Sequence, residues 1–230
     1  TDLGSPILLT QITRRSLENL VMVSETFERI IKDEFLHETA NCLDSRQHGF
    51  LKGRSCTTNM INFVDSVVLS IIDISIISTD AVYFDFSKAF DSVNHDLILP
   101  KLKDKYSIGG RLLKFIKTYL QGRMQPVVIE NCKSSGKAVL SGVPQGSILG
   151  PISFVLFIND LPLGLSPGTD LALYADDTKI SCETDYEIQN DIDYLHQWAR
   201  QNKMKFHPLK CKVVTIPVSY THLRAHETRE

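Results

Sequence analysis

Leu171-Ala-Leu-Tyr-Ala-Asp-Asp-Thr-Lys-Ile-Ser-Cys182 is the stretch on which the reading of this chain turns. Strand-forming residues stand on both sides of an acidic pair, Asp176-Asp177. The spacing predicts two strands, Leu171–Ala175 and Thr178–Cys182, joined by a tight turn. Another acid, Asp85, lies near the end of a second strand-forming run, Ala81-Val-Tyr-Phe-Asp-Phe86. Adjacent carboxylates in apolar surroundings repel each other and resist leaving water, so they persist only with a strong counter-charge. Hard divalent cations with oxygen ligands supply that charge, Mg²⁺ being usual beside phosphates. A strand-end Asp and a hairpin-tip Asp pair can converge on one point, which is the minimum scaffold for two-metal phosphoryl chemistry. Taken alone, Asp176-Asp177 reads first as an ordinary exposed turn, because Asp is a common turn residue.

Outward from the acids, helices and strands interleave. Leu17, Leu20, Val21, Phe27, Ile30 and Ile31 recur at helical spacing, predicting a helix up to about His37. Gln47 to Ser55 is a polar, glycine-bearing loop, and Asn59 to Leu69 reads as helix. Val64 to Ile77 is the most apolar stretch, interrupted by Asp65 and Asp73; it is too short and too charged for a membrane span and predicts a buried helix or strand. Arg111 to Leu120 is an amphipathic helix, with Lys114 and Lys117 off its apolar face. Val127–Ile129 and Lys137–Leu140 bracket a turn-forming segment and read as a hairpin. Ser153–Ile158 is a helix or a strand, with Pro151 suited to a helix start. Ile188 to Asn202 is a last helix, and Val213–Ile216 a short strand. No regular βαβ rhythm appears, so the expected class is α+β with an antiparallel sheet.

The chain has 230 residues, 43% hydrophobic and 23% charged, enough to bury a sizeable core. A net charge of −2 does not by itself mark a nucleic-acid binder. Positive charge is nevertheless concentrated locally. Between Lys101 and Arg123 lie Lys103, Lys105, Arg111, Lys114 and Lys117, opposed only by Asp104. From Tyr194 to His226 there is no acid, while Arg200, Lys203, Lys205, Lys210 and Lys212 fall inside. These are either solvated basic faces or phosphate contacts. The cysteines, Cys42, Cys56, Cys132, Cys182 and Cys211, are odd in number and never in a C-x-x-C pair. They predict free thiols in a reducing compartment, without structural zinc; the expected setting is intracellular, cytoplasm and/or nucleus.

The text around the acids resembles the reverse transcriptases of non-LTR (LINE-type) retrotransposons. Val82 to His95 (VYFDFSKAFDSVNH) resembles their first catalytic motif and Ser141 to Pro151 (SGVPQGSILGP) their second. Leu173 to Thr178 (LYADDT) resembles the hairpin bearing the metal-binding acids. Gln47-His-Gly-Phe50 matches a fingers-region motif, and Trp198 to Cys211 resembles the segment that ends in Lys-Cys. The set covers roughly residues 5–216 in the family's order. The resemblance implies a right-hand polymerase: fingers at about 1–80 and 101–139, palm at about 81–100 and 140–216, with an antiparallel palm sheet. It implies two Mg²⁺ held by Asp85, Asp176 and Asp177. It implies Phe86, Lys88, Ala89, Phe90, Gln145 and Gly146 at the incoming nucleotide, the ring of Phe90 blocking a ribose 2′-hydroxyl, for which core packing is the other reading. Lys210 matches a proton donor to pyrophosphate, or is a solvated lysine. Lys52, Arg54, Lys114 and Lys117 are the candidate nucleic-acid contacts. The implied partners are an RNA template, a DNA primer and deoxynucleoside triphosphates.

The sequence also departs from the family. Ser5-Pro-Ile-Leu8 stands where the family usually reads Arg-Pro-Ile-Ser, removing a charge that normally meets the triphosphate. Pro100 falls where a helix usually continues and should end or kink it. After Ile216 the family continues into a thumb. Residues 217–230 resemble no part of it and read as an unrelated, disordered tail on a truncated domain, whose His222 and His226 lack the cysteines of a zinc site. Two readings follow: an RNA-directed DNA polymerase core, or a catalytically inactive nucleic-acid-binding remnant of a retrotransposon.

Overall fold

A four-stranded antiparallel sheet organises the molecule, its strands lying in the order Asp170–Tyr174, Asp177–Cys182, Ser78–Phe84 and Lys212–Pro217. The structure, a computed structural model, describes residues 25–72, 78–130, 132–182 and 185–217. The strands are β1 (Ser78–Phe84), β6 (Asp170–Tyr174), β7 (Asp177–Cys182) and β8 (Lys212–Pro217). Helix α1 (25–39) precedes α2 (Cys56–Ile72). After β1 come α3 (Ala89–Ser92), α4 (His95–Tyr106) and α5 (Gly110–Leu120); α6 (Leu149–Ile158) and α7 (Asp185–Gln201) flank the β6–β7 hairpin in sequence. The early part of the helix expected up to His37, Ser5 to Leu8, and both tail histidines lie outside the described residues. Among those residues no helix is long and apolar enough to cross a membrane. None of the five cysteines forms a disulfide.

β1 is central because it alternates. Ala81 and Tyr83 face α2, meeting Phe63, Val67 and Ala172, while Val82 and Phe84 face the main core with Leu171, Ile180, Leu195 and Trp198. Helix α6 is apolar on every side and correspondingly buried throughout Ile152–Ile158. Its N-terminal N–H groups are met by a distant acid: Glu28 Oε2 accepts from Ile148 N at 2.8 Å and Leu149 N at 3.3 Å.

Four sequence expectations change here. Helix α2 is not buried all round: Met60, Ile61, Val64, Val68 and Leu69 are exposed. Only its Asn59, Phe63 and Val67 face is covered. The expected hairpin is broken into two short nested ladders, and its two expected strands do not pair with each other. Strand β2 (Met124–Gln125) pairs with β5 (Lys137–Ala138), and β3 (Val128–Ile129) with β4 (Cys132–Lys133). Pro126 lacks the N–H that would join them. Helix α4 runs through Pro100 to Tyr106. The carbonyl this proline leaves without an amide is that of exposed Asp96, in the first turn, open to solvent. Finally, the Lys101–Arg123 stretch is less basic than its composition. Asp160 draws in two of its lysines: Lys101 Nζ is 2.8 Å from Oδ1, and Lys105 Nζ bonds Oδ2.

That cluster ties three helices together. Trp198 Nε1 of α7 donates to Asp160 Oδ1 at 3.1 Å, and Lys101 of α4 also donates to the Phe157 carbonyl of α6 at 2.8 Å. Burial pushes the Asp160 carboxyl up, but hydrogen bonds from Lys101 and Lys105 outweigh it and hold the group below its ordinary value. The stability this carboxylate contributes is therefore present above the unfolded-state pKa and is lost as pH falls through the lowered folded value. Asp160→Asn leaves a buried lysine without its counter-charge and should lower stability by about 3 kcal/mol or more, read by urea unfolding at pH 7. The deficit should shrink towards acid pH, where the wild-type carboxyl is itself protonated.

Candidate active site

The β6–β7 hairpin places Asp176 in its two-residue turn and Asp177 at the first position of β7, one residue earlier than the sequence pattern predicts for the second strand. Tyr174 pairs with Asp177, leaving Ala175 and Asp176 at the tip. Ala175 has φ 53°, a region that costs a non-glycine residue about 1 kcal/mol. It is buried, whereas Asp176 is half-buried and Asp177 exposed. β1 pairs with β7 so that Phe84 stands opposite Thr178. Asp85, the next residue, therefore leaves the strand at the end of the sheet where Asp177 begins. The three acids share that end.

A lysine joins them from the β8 side. Lys210 Nζ lies 3.3 and 3.2 Å from the two Asp85 carboxylate oxygens. Its turn is docked by the main chain: His207 N donates to Asp85 O at 2.8 Å, and Lys210 N to His207 O at 3.0 Å. Burial is the first cause that raises the Asp176 pKa; the charges of Asp177 and Asp85 add to it, and Lys210 opposes them. Among the described residues no three His, Cys, Asp or Glu side chains come together closely enough to form a ready-made metal cage. The donors themselves suit a hard divalent ion: oxygen ligands only, with a like-charge strain that such an ion would relieve.

Loop 141–147 closes on α3 beside the acids. Val143 N donates to Phe90 O at 2.9 Å and Gly142 N to Val93 O at 2.8 Å. Gly142 (φ 86°) has no room for a side chain; a Cβ there would stand 2.8 Å from Asp91 Cα. Its carbonyl accepts from Arg123 Nη2 at 2.7 Å and bonds His95 Nε2 at 2.9 Å. Held so, the loop lets exposed Gln145 donate to Asp91 Oδ1 at 3.0 Å, with Gly146 next to it at φ 77°. Phe90 is partly buried, stacked on Phe154 at 4.6 Å and meeting Phe50 edge-on at 6.0 Å.

The model of the family described as "Reverse transcriptase (RNA-dependent DNA polymerase)" matches residues 13–226. The chain belongs to the reverse transcriptase family. The RNA-directed DNA polymerase from the mobile element jockey of Drosophila funebris is 36% identical over 146 residues, 58% of this chain and 16% of that protein. The probable RNA-directed DNA polymerase from transposon X-element of Drosophila melanogaster is 31% identical over 198 residues, 81% of this chain and 21% of that protein. The chain thus spans about a fifth of the length of these curated non-LTR retrotransposon relatives. Among solved structures, telomerase from Candida Tropicalis in complex with the TWJ fragment of telomeric RNA superposes with a TM-score of 0.68 at 8% identity. The match covers 88% of this chain and 35% of that one. The α+β palm-and-fingers fold is therefore that of a reverse transcriptase.

Within this reverse transcriptase domain the sequence-derived site residues fall into three groups. Asp85, Asp176, Asp177 and Lys210 share one end of the sheet. Lys88, Ala89, Phe90, Gln145 and Gly146 form the adjoining α3–loop unit, with Lys88 exposed at φ 50° and the Ala89 side chain buried. Phe86 departs from expectation. Its ring is buried, stacked on Phe206 at 4.4 Å, which leaves its side chain no surface to offer a nucleotide. Lys52 is exposed. Arg54 Nη1 donates to Gln47 O at 2.6 Å and to Ser45 O, so this guanidinium ties down its own loop. Lys114 and Lys117 stand exposed on α5, which packs against α4.

Sequence reasoning missed the supports: Asp91 under Gln145, and His95 with Arg123 on the Gly142 carbonyl. It also missed Gln47 and Gly49 against the hairpin tip. Only the glycines carried a signal, as positions where backbones approach closely. Because Lys210 lowers the Asp176 pKa, Lys210→Met should raise it further; a carboxyl-carbon NMR titration should show a higher midpoint than in the unsubstituted chain. An unchanged midpoint would mean that Lys210 does not face the pair.

Proposed function

We propose that this chain is the catalytic core of an RNA-directed DNA polymerase, adding deoxynucleotides to a primer 3′-hydroxyl on an RNA template during retrotransposition. The observation that carries this reading is the meeting of Asp85 with Asp176-Asp177 at one sheet end, in a chain of the reverse transcriptase family. In it, residues 81–100 and 140–216 form the palm, and 1–80 with 101–139 the fingers. The jockey and X-element relatives, described as RNA-directed DNA polymerases, support an RNA template here.

Asp85, Asp176 and Asp177 would hold two Mg²⁺ ions. Such ions lower the pKa of the 3′-hydroxyl and neutralise the triphosphate and departing pyrophosphate. The chain's own residues do the remaining work. Backbone N–H groups at Lys88 and Ala89 meet the triphosphate, and Gln145 with Gly146 borders the nucleotide and template. Lys210 Nζ serves as the proton donor to pyrophosphate. Exposed Lys52, Lys114 and Lys117 offer phosphate contacts, whose contribution falls as salt rises.

Asp85→Asn and Asp176→Asn each remove a carboxylate charge with little change in volume. Either should abolish primer extension on RNA with Mg²⁺ while duplex binding and folding persist. Asp176→Asn should in addition be slightly more stable than wild type in metal-free buffer at neutral pH, because it removes a carboxylate held above its ordinary pKa. Retained extension at matched melting temperature contradicts the assignment. Duplex binding by the wild-type chain without any extension selects the inactive remnant.

Phe90 tests substrate choice. Its contacts with Phe154 and Phe50 fix the ring, as a steric barrier to a 2′-hydroxyl requires. Phe90→Ala should raise ribonucleotide relative to deoxyribonucleotide use, measured as the ratio of kcat/KM values. If packing is its whole role, both substrates lose together and stability falls by about 3 kcal/mol.

A further inference from the structure

Gln47 sits in the loop before α2, yet reaches the hairpin tip. Its main chain runs alongside β6 as a parallel bridge to Leu173. His48 N donates to Leu173 O at 2.8 Å, and Leu173 N to Arg46 O at 3.1 Å. The side chain then extends this pairing. Gln47 Oε1 accepts from Ala175 N at 2.9 Å and from Gly49 N at 2.7 Å. One amide oxygen thereby holds the residue with the turn's positive φ, 53°, immediately before Asp176. Gln47 is 1% exposed, so water does not compete for either bond. Gly49 fits by lacking a side chain, since a Cβ there would stand 2.4 Å from Ala175 N.

We propose that Gln47 is a positioning residue for polymerisation: acting through Ala175, it fixes the direction in which Asp176 presents its carboxylate. This rests on the reading of Asp176 as a metal-holding acid. The amide suits the task because it offers a carbonyl without a fourth negative charge near Asp85, Asp176 and Asp177. Its Nε2 is buried with no hydrogen-bond partner, so what the side chain contributes is the acceptor, kept in spite of an unmatched donor.

Three readouts on Gln47→Met, which deletes the acceptor at similar length, and Gln47→Glu, which keeps it, test the proposal. In the wild-type chain the Ala175 amide should exchange slowly with solvent although it lies at a hairpin tip. Gln47→Met should speed that exchange by on the order of tenfold or more, with the β1 amides of Val82 and Phe84 unchanged; Gln47→Glu should keep it slow. Gln47→Met should also weaken Mn²⁺ binding, read by electron paramagnetic resonance, and lower kcat for primer extension by on the order of 10²-fold, the cost of a misplaced reacting group, with little change in nucleotide KM. A fast Ala175 amide in the wild type, or an equally slow one in Gln47→Met, overturns the clamp. So does a loss of activity that only tracks melting temperature. If Gln47→Met does not fold, the wild-type and Gln47→Glu exchange rates decide. A wild-type chain that neither binds Mn²⁺ nor extends a primer defeats the functional reading, and the positioning role with it, while a slow Ala175 amide would still mark the contact as real.

Discussion

β1 is hydrogen-bonded on both sides, and the registers of those two ladders decide where charge gathers. On one side Phe84 lies opposite Thr178, so Asp85 emerges beside Asp177. On the other, Tyr83 lies opposite Lys212, while Phe86 bridges to Phe206. The residues between those two pairings, 207–211, bulge from the ladder, and Lys210 at their turn returns over Asp85. A one-residue slip of β1 against β7 would turn Val82 and Phe84 out of the core and part Asp85 from Asp177, and a slip of β8 would carry Lys210 away from Asp85. Burial of these apolar side chains thus fixes the placement of the polar ones.

Two buried or half-buried aspartates show how differently the fold treats charge. Asp160 is answered by two lysines and an indole N–H, and its pKa is held down. Such a group has its electrostatic demand met and serves to join helices. Asp176 has its pKa pushed up by burial and by its neighbours' charge, with one lysine in opposition. A carboxylate kept at this disadvantage, in a partly open position, is the kind of group that function retains at a cost in stability. Under the proposed function, Asp160 is the structural acid and Asp176 the metal-holding one.

The strands and their acids were legible in the sequence because they are local: alternation and turn chemistry are written within a few residues. Thr178–Cys182, Ala81–Phe84 and the helices around Arg111–Leu120 and Ile188–Gln201 emerge from that pattern. Helix α6 stayed ambiguous because a wholly apolar run has no period to read. The uncovered face of α2 was hidden for the converse reason: apolar composition says nothing of which face is packed. Supports across the chain left little trace. Gln47 reading the amide of Ala175, Glu28 serving α6 and Asp160 gathering Lys101 and Lys105 each join residues far apart in sequence. Pro100 misled because the cost of its missing N–H depends on whether the orphaned carbonyl can reach water.

If Asp85 and Asp176 act together on divalent cations, the anomalous scattering of crystals of this protein grown with Mn²⁺ and an RNA–DNA primer–template shows it directly. Mn²⁺ peaks liganded by both Asp85 and Asp176 are expected. Mn²⁺ bound elsewhere, with Lys210 still paired to Asp85 and no ion on either carboxylate, would contradict it.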